Sequence, residues 1–211
     1  MSLNTVAIGD AEFDFHDFGV LGPAIDDALG DGADVELTTD RTAVSRLSDY
    51  DALIDYTTKA EWTPAQLDAI RSFVRAGSGY VGIHCATDID TGVDEPCTEL
   101  ADFIGGRFVA HPEMTTIDVE MVDSDHPVTD GVTDFQLYDE PYELDWDADR
   151  VTVLAEFTHP ETGTMPAAWV RTEGDGRVFY CSLGHDSAAF RNADFRQLLR
   201  NGLQWAAGTN P

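Results

Sequence analysis

Gly79-Tyr80-Val81-Gly82-Ile83-His84-Cys85-Ala86-Thr87 decides how this chain is read. Gly79 to Ile83 is a short apolar run of the kind that forms a strand buried on both faces, and Gly82 to Thr87 is its exit. An exit of this composition has the form of a nucleophile elbow, a strained strand-to-helix turn that exposes one side chain. The turn needs small residues two before and two after that side chain. Gly82 and Ala86 meet the need with His84 at the apex and fail it with Cys85 there. His84 is therefore the expected reactive position, and Cys85 offers a backbone N–H beside it, in an oxyanion-hole position. The competing reading is a histidine satisfied at a strand end.

Outward from this strand the pattern alternates. Upstream, Thr5 to Gly9, Asp34 to Thr38 and Ala52 to Tyr56 read as strands, with a helix through Ile25 and Leu29 between the first two. Thr63-Pro64-Ala65-Gln66 supplies a capping threonine, an N1 proline and a capping-box glutamine. Leu67, Ile70, Phe73 and Val74 follow on one helical face, and Gly77 stands at the C′ position. Downstream, strands cluster: Thr116 to Val122 with two-residue alternation, Val151 to Phe157, Ala167 to Arg171 and Arg177 to Leu183. A last helix runs from about Asn192 to Gly208. The expected fold is one α/β domain over residues 1–211, a flavodoxin-like three-layer sandwich. Its sheet is mostly parallel with an antiparallel extension. In such sheets ligands bind beyond the carboxyl ends of the strands, where Gly82 to Thr87 and Ser182 to Asp186 both fall.

Composition narrows the function. The 211 residues hold 40 acidic against 12 basic side chains, a net charge of −28, and Lys59 is the one lysine. Such a field disfavours nucleic acid. Self-repulsion at this charge destabilises a compact state in dilute buffer and is screened at molar salt, so halophilic adaptation is the favoured explanation over a basic partner or ordinary acidity. No apolar run reaches the roughly 18 residues of a membrane span, and the first residues lack signal-peptide character; a cytoplasmic protein is expected. Cys85, Cys97 and Cys181 include no C-x-x-C pair, so neither a disulfide framework nor a cysteine zinc site is expected.

Several motifs in order resemble the trehalose-utilisation (ThuA-like) family of the class I glutamine amidotransferase-like superfamily. They are Gly79 to Thr87, Ile104-Gly105-Gly106-Arg107-Phe108, His111-Pro112, Asp125-His126-Pro127, Asp139-Glu140-Pro141-Tyr142, Pro166 to Val170, Leu183-Gly184-His185-Asp186 and Trp205 to Gly208. Amidotransferases carry a cysteine at the apex where this chain has His84, so the resemblance implies a protein that is not a glutaminase. It also places His185 where amidotransferases have their base histidine, and it selects Glu140 among forty acids.

The resemblance implies an enzyme of carbohydrate utilisation, on trehalose or a related disaccharide or keto-sugar. His84, Glu140 and His185 form its acid/base set, and His111, Asp139, Tyr142, Asp186 and Cys85 lie at the substrate. Tyr142 and Trp146 are candidates to stack on a sugar. Three histidines and a glutamate suit a divalent metal equally well, but no H-x-x-x-H spacing supports one, and the cofactor stays open. So does homo-oligomerisation. The alternative function is a non-catalytic sugar-binding or assembly module that lost the amidotransferase nucleophile. His126 and His159 read as turn residues, and His16, in the polar loop Asp14 to Asp17, is ambiguous.

Overall fold

The computed structural model describes residues 2–59, 62–89 and 97–209. Nine strands form one sheet in the order β2-β1-β3-β4-β11-β10-β9-β6-β7. Its parallel half comprises β1 (Leu3–Gly9), β2 (Ala33–Thr38), β3 (Ala52–Tyr56), β4 (Gly79–Ile83) and β11 (Gly176–Cys181). Its antiparallel half comprises β10 (Gly163–Glu173), β9 (Thr152–His159), β6 (Thr115–Met121) and β7 (Phe135–Asp139). The expected mostly parallel sheet with an antiparallel extension is thus the architecture.

Alternate residues of the central strands serve two cores. Ala7, Ile54, Val81 and Phe179 pack with α1 (Phe18–Leu29) and α4 (Ala193–Ala206) on one face. Val6, Leu53, Tyr80 and Val178 pack with α2 (Pro64–Arg75) and α3 (Thr98–Ile104) on the other. This is why these strands carry apolar residues on both faces. In α2 the capping box forms as the sequence predicts. The Thr63 hydroxyl accepts from Gln66 N, and the Gln66 side chain accepts from Thr63 N at 2.9 Å. Gly77 ends the helix at φ 113.

Three features go beyond the sequence reading. β7 and α3 are not foreseen by it, and neither is a separate two-stranded ribbon of β5 (Gly106–Ala110) and β8 (Glu143–Trp146). Their hydrophobic patterns are only a few residues long. The ribbon carries Phe108, and it brings the segments holding His111, Glu140 and Tyr142 over the carboxyl end of the parallel half. Trp146, a candidate for sugar stacking, instead packs against the second core. Among the described residues, no helix is long and apolar enough to cross a membrane.

Candidate functional site

His84 stands at the end of β4 with φ 47, a left-handed backbone that a non-glycine residue adopts only when its surroundings hold it there. Those surroundings are built from small residues and hydroxyls. A Cβ on Gly82 would lie 3.1 Å from the rings of both Tyr80 and Tyr180 and 3.3 Å from Ala86 Cβ, so the elbow closes around a missing side chain. The Tyr180 hydroxyl donates to the His84 carbonyl oxygen at 2.8 Å. The apex is therefore His84, as the spacing of Gly82 and Ala86 requires.

The His84 ring is fully buried and its tautomer is set. Nδ1 lies 2.8 Å from the Ser182 carbonyl oxygen, which can only accept, so Nδ1 carries the hydrogen and Nε2 is the acceptor. The Tyr142 hydroxyl donates to that Nε2 at 2.8 Å while its ring lies against the imidazole at a centroid distance of 4.3 Å. Ser182 opens the β11 exit that also delivers His185. The two motifs that the topology places at one sheet edge thus meet side chain to side chain.

Four ligand-type atoms converge there. His185 Nδ1 is 3.1 Å from Glu140 Oε2, 3.3 Å from His84 Nε2 and 3.3 Å from His16 Nε2. Glu140 Oε2 is 3.4 Å from His84 Nε2. His16, Nδ1 against the Thr58 hydroxyl at 3.0 Å, joins from the loop after β1. Thr58 is held by its own N–H donating to Asp10 at 2.7 Å. The ambiguous histidine of the sequence is therefore a full member of the cluster. One signal for it existed: the loop leaves the carboxyl end of a parallel strand, where sites of this fold class sit.

The charges sort themselves by environment. Burial pushes the His16 pKa down to about 2, helped by repulsion from His84 and His185. Burial would also lower His185, but the hydrogen bond and charge of Glu140 outweigh it and raise this histidine above its ordinary value. Burial would raise Glu140, but the hydrogen bond from His185 and the neighbouring imidazoles win and hold it well below the carboxylate range. Within the cluster Glu140 is thus kept as the carboxylate beside His185, and His16 is kept neutral.

The other expected residues fall into two groups. His111 and Tyr142 reach the site: His111 Nε2 lies 3.6 Å from Glu140 Oε1, and both residues line the cavity above the cluster. Asp139, Asp186 and Cys85 do not line it. Asp139 is fully buried and accepts from Gly184 N at 2.7 Å, His185 N at 3.1 Å and Glu140 N at 2.9 Å, so it shapes the loops that carry the cluster. Asp186 caps its own turn by accepting from Ala188 N at 2.7 Å. Cys85 sits in the core at 0% exposure, and burial drives its thiol pKa far up, only partly offset by the Thr58 hydroxyl. The Cys85 thiol is thus held in the core, and the imidazole of His84 takes the apex. His126 accepts from Val128 N at 3.2 Å in a local turn, as the sequence suggests.

The cavity measures about 320 Å³, at the low end of the range for small-molecule sites. Phe15, Phe108 and Tyr142 give it aromatic walls, and Lys59 and Asp88 add charged ones. Phe15 is 55% exposed at this cavity, an unusual position for a large apolar ring.

A family model described as ThuA, trehalose utilisation, matches residues 16–206. No curated protein matches the chain. Among solved structures, a protein from Parabacteroides merdae ATCC 43184 described as ThuA-like is similar over 98% of this chain and 90% of its own, with a TM-score of 0.82 at 18% identity. Another so described, from Bacteroides uniformis ATCC 8492, is similar over 97% and 91%, with a TM-score of 0.78 at 22% identity. A β-galactosidase from Bacillus circulans sp. alkalophilus is similar over 98% of this chain but 31% of its own, with a TM-score of 0.68 at 16% identity. At these identities the likeness is one of fold.

Proposed function

This chain belongs to the trehalose-utilisation (ThuA) family, and from that premise we propose that it is an enzyme acting on a carbohydrate by proton transfer, with the His84–Glu140–His185 cluster as its reaction centre. The observation that carries this reading is the convergence of His84 Nε2, His185 Nδ1 and Glu140 Oε2 at separations of 3.1–3.4 Å, with His185 and Glu140 lining an aromatic-walled cavity and His84 buried directly behind them. The cluster offers both partners of proton transfer. His185 holds a proton that Glu140 stabilises, and His84 presents a lone pair whose direction is locked by Ser182. Aromatic walls suit the apolar face of a sugar ring, and the carboxylate and imidazoles suit its hydroxyls and a carbonyl or glycosidic carbon. The substrate class is trehalose, a related disaccharide or a keto-sugar derived from one.

A module that only held a sugar would need the cavity but not the cluster. Burying a glutamate and three histidines costs free energy that apolar residues of equal volume would not, so their presence together favours chemistry over simple binding.

The test follows consumption of trehalose, related disaccharides and their keto derivatives by NMR, with the unfolding midpoint as a fold control. Glu140→Gln and His84→Ala should each lower turnover by about 10²- to 10⁴-fold while the midpoint moves by only a few degrees. Sugar binding without turnover in the wild type would establish the non-catalytic module instead.

A further inference from the structure

We infer that His16, His84, His185 and Glu140 together form the ligand set of a divalent transition-metal centre. One nitrogen from each imidazole and one glutamate oxygen lie within 4.8 Å of one another. The closest separations are 3.1, 3.3, 3.3 and 3.4 Å. A tetrahedral ion with bonds of about 2.0–2.1 Å to nitrogen and oxygen has ligand–ligand edges of about 3.3–3.4 Å. Four of the six ligand–ligand separations thus match the edges of such a polyhedron, and the other two lie within 4.8 Å.

Proton counting supports a cation at that centre. His84 is held as the Nδ1–H tautomer by the Ser182 carbonyl, so its Nε2 lone pair points inward. His16 has the Thr58 hydroxyl on Nδ1, which leaves Nε2 for the cluster. His185 Nδ1 faces both of these nitrogens and the Glu140 oxygen, and a single hydrogen there can serve one acceptor only. With the Thr58 hydroxyl accepting from His16 Nδ1–H, the cluster gathers more acceptors than it has protons to satisfy, and one dication satisfies them together. The Tyr142 hydroxyl, which donates to His84 Nε2, would be free to donate to a water on an ion held there.

Outer partners hold two of the four ligands in the way such sites require, and a third has a histidine nearby. Ser182 orients His84, Thr58 orients His16, and His111 lies 3.6 Å from the other oxygen of Glu140. Three imidazoles and one carboxylate, without a thiolate, select a borderline first-row ion such as Zn²⁺, Co²⁺, Fe²⁺ or Mn²⁺ over Mg²⁺ or Ca²⁺. The cavity gives a water or a substrate oxygen access to the ion, which would polarise a carbonyl or lower the pKa of that water.

This inference rests on the cluster and not on the sugar, so it is tested without one. Chelator-treated full-length protein is titrated with Co²⁺ and followed by visible absorption and calorimetry, then with Zn²⁺ in competition. The expected result is one equivalent bound with the intense visible bands of a four- or five-coordinate nitrogen/oxygen site, displaced by Zn²⁺. His16→Ala and Glu140→Gln should weaken binding by more than the roughly 10- to 100-fold that loss of an outer partner costs, and Thr58→Val should fall within that smaller range. Thr58→Val keeps every ligand and so still reads the site if a ligand variant fails to fold. Weak, pale, multi-equivalent binding unchanged in the variants would mean that surface carboxylates take the ion, and would overturn the centre. A loaded centre with no sugar turnover would leave the inference standing and count against the carbohydrate reading instead.

Discussion

The parallel and antiparallel halves of the sheet use their residues differently, and the site exists because they meet. In β3 and β4 every residue is buried, since helices cover both faces. In β7 burial alternates strictly, with Gln136 and Tyr138 in solvent and Phe135, Leu137 and Asp139 inside. The parallel half delivers His16, His84 and His185 from the ends of its strands. The antiparallel half delivers Glu140 directly after β7, and the ribbon adds Tyr142 and Phe108. The imidazoles thus come from one half and the only carboxylate of the cluster from the other. The competence of the site depends on the joint between them.

Asp139 is that joint, and removing it should give the largest effect. Asp139→Ala leaves the N–H groups of Gly184, His185 and Glu140 without their acceptor inside the protein, at about 1–3 kcal/mol each. A total loss of several kcal/mol would lower the midpoint by roughly 10 °C in a chain of this size. Asp139→Asn, which keeps one acceptor oxygen, should recover part of it. Denaturant unfolding of both variants measures the difference. An Asp139→Ala protein as stable as wild type would mean that the halves are held together elsewhere.

The burial contrast gives the next test. In β3, Leu53→Ala and Ile54→Ala, adjacent but on opposite faces, should each cost about 2–5 kcal/mol. In β7, Leu137→Ala should fall in that range, and its neighbour Tyr138→Ala should stay within about 0.5 kcal/mol. A large cost at Tyr138, which is 58% exposed in the isolated chain, would reveal a partner on that edge strand.

The charged surface and the buried cluster respond to solution conditions in separate ways. With a net charge of −28, the midpoint of thermal unfolding should rise by several degrees between dilute buffer and multimolar salt, as repulsion is screened. A flat or falling midpoint would count against halophilic adaptation. Acid acts on the cluster. The folded pKa of His16 lies near 2, below its ordinary 6.5, so the unfolded chain takes up the proton first. Its stabilising contribution is complete above about pH 6.5 and is lost as the pH falls toward 2. His185, raised in the fold, has the opposite sign: its contribution is present below its unfolded value and fades as the pH rises through the folded one. Metal-free protein should therefore lose stability on mild acidification, and His16→Gln should flatten that loss between about pH 6.5 and 5. An unchanged acid limb in His16→Gln would place the titration on other groups.

The smallest signals in the sequence were often the decisive ones. The capping box at Thr63 and Gln66, the doubly buried strands β3 and β4, and the elbow from Gly82 to Ala86 were legible because each is a local preference acting over a few residues. The apex at His84 follows from a steric demand that neighbouring residues alone satisfy. The parallel core and one edge of the site are therefore properties of sequence by itself.

Membership of His16 and the inward turn of Glu140 are not. His16 enters the cluster through Thr58 and Asp10, which approach from separate strand ends, and Glu140 enters because Asp139 ties β7 to the β11 exit. Forty acidic residues make the one carboxylate of the cluster invisible to composition. Short ribbon strands carry too few residues for a period to show. The sequence by itself determined the parallel framework, the elbow and its apex, because those depend on contacts between near neighbours. Only the tertiary structure decided that His16 joins His84 and His185, that Asp139 works on the backbone and that Cys85 is sealed in the core, because each depends on where distant strand ends are brought together.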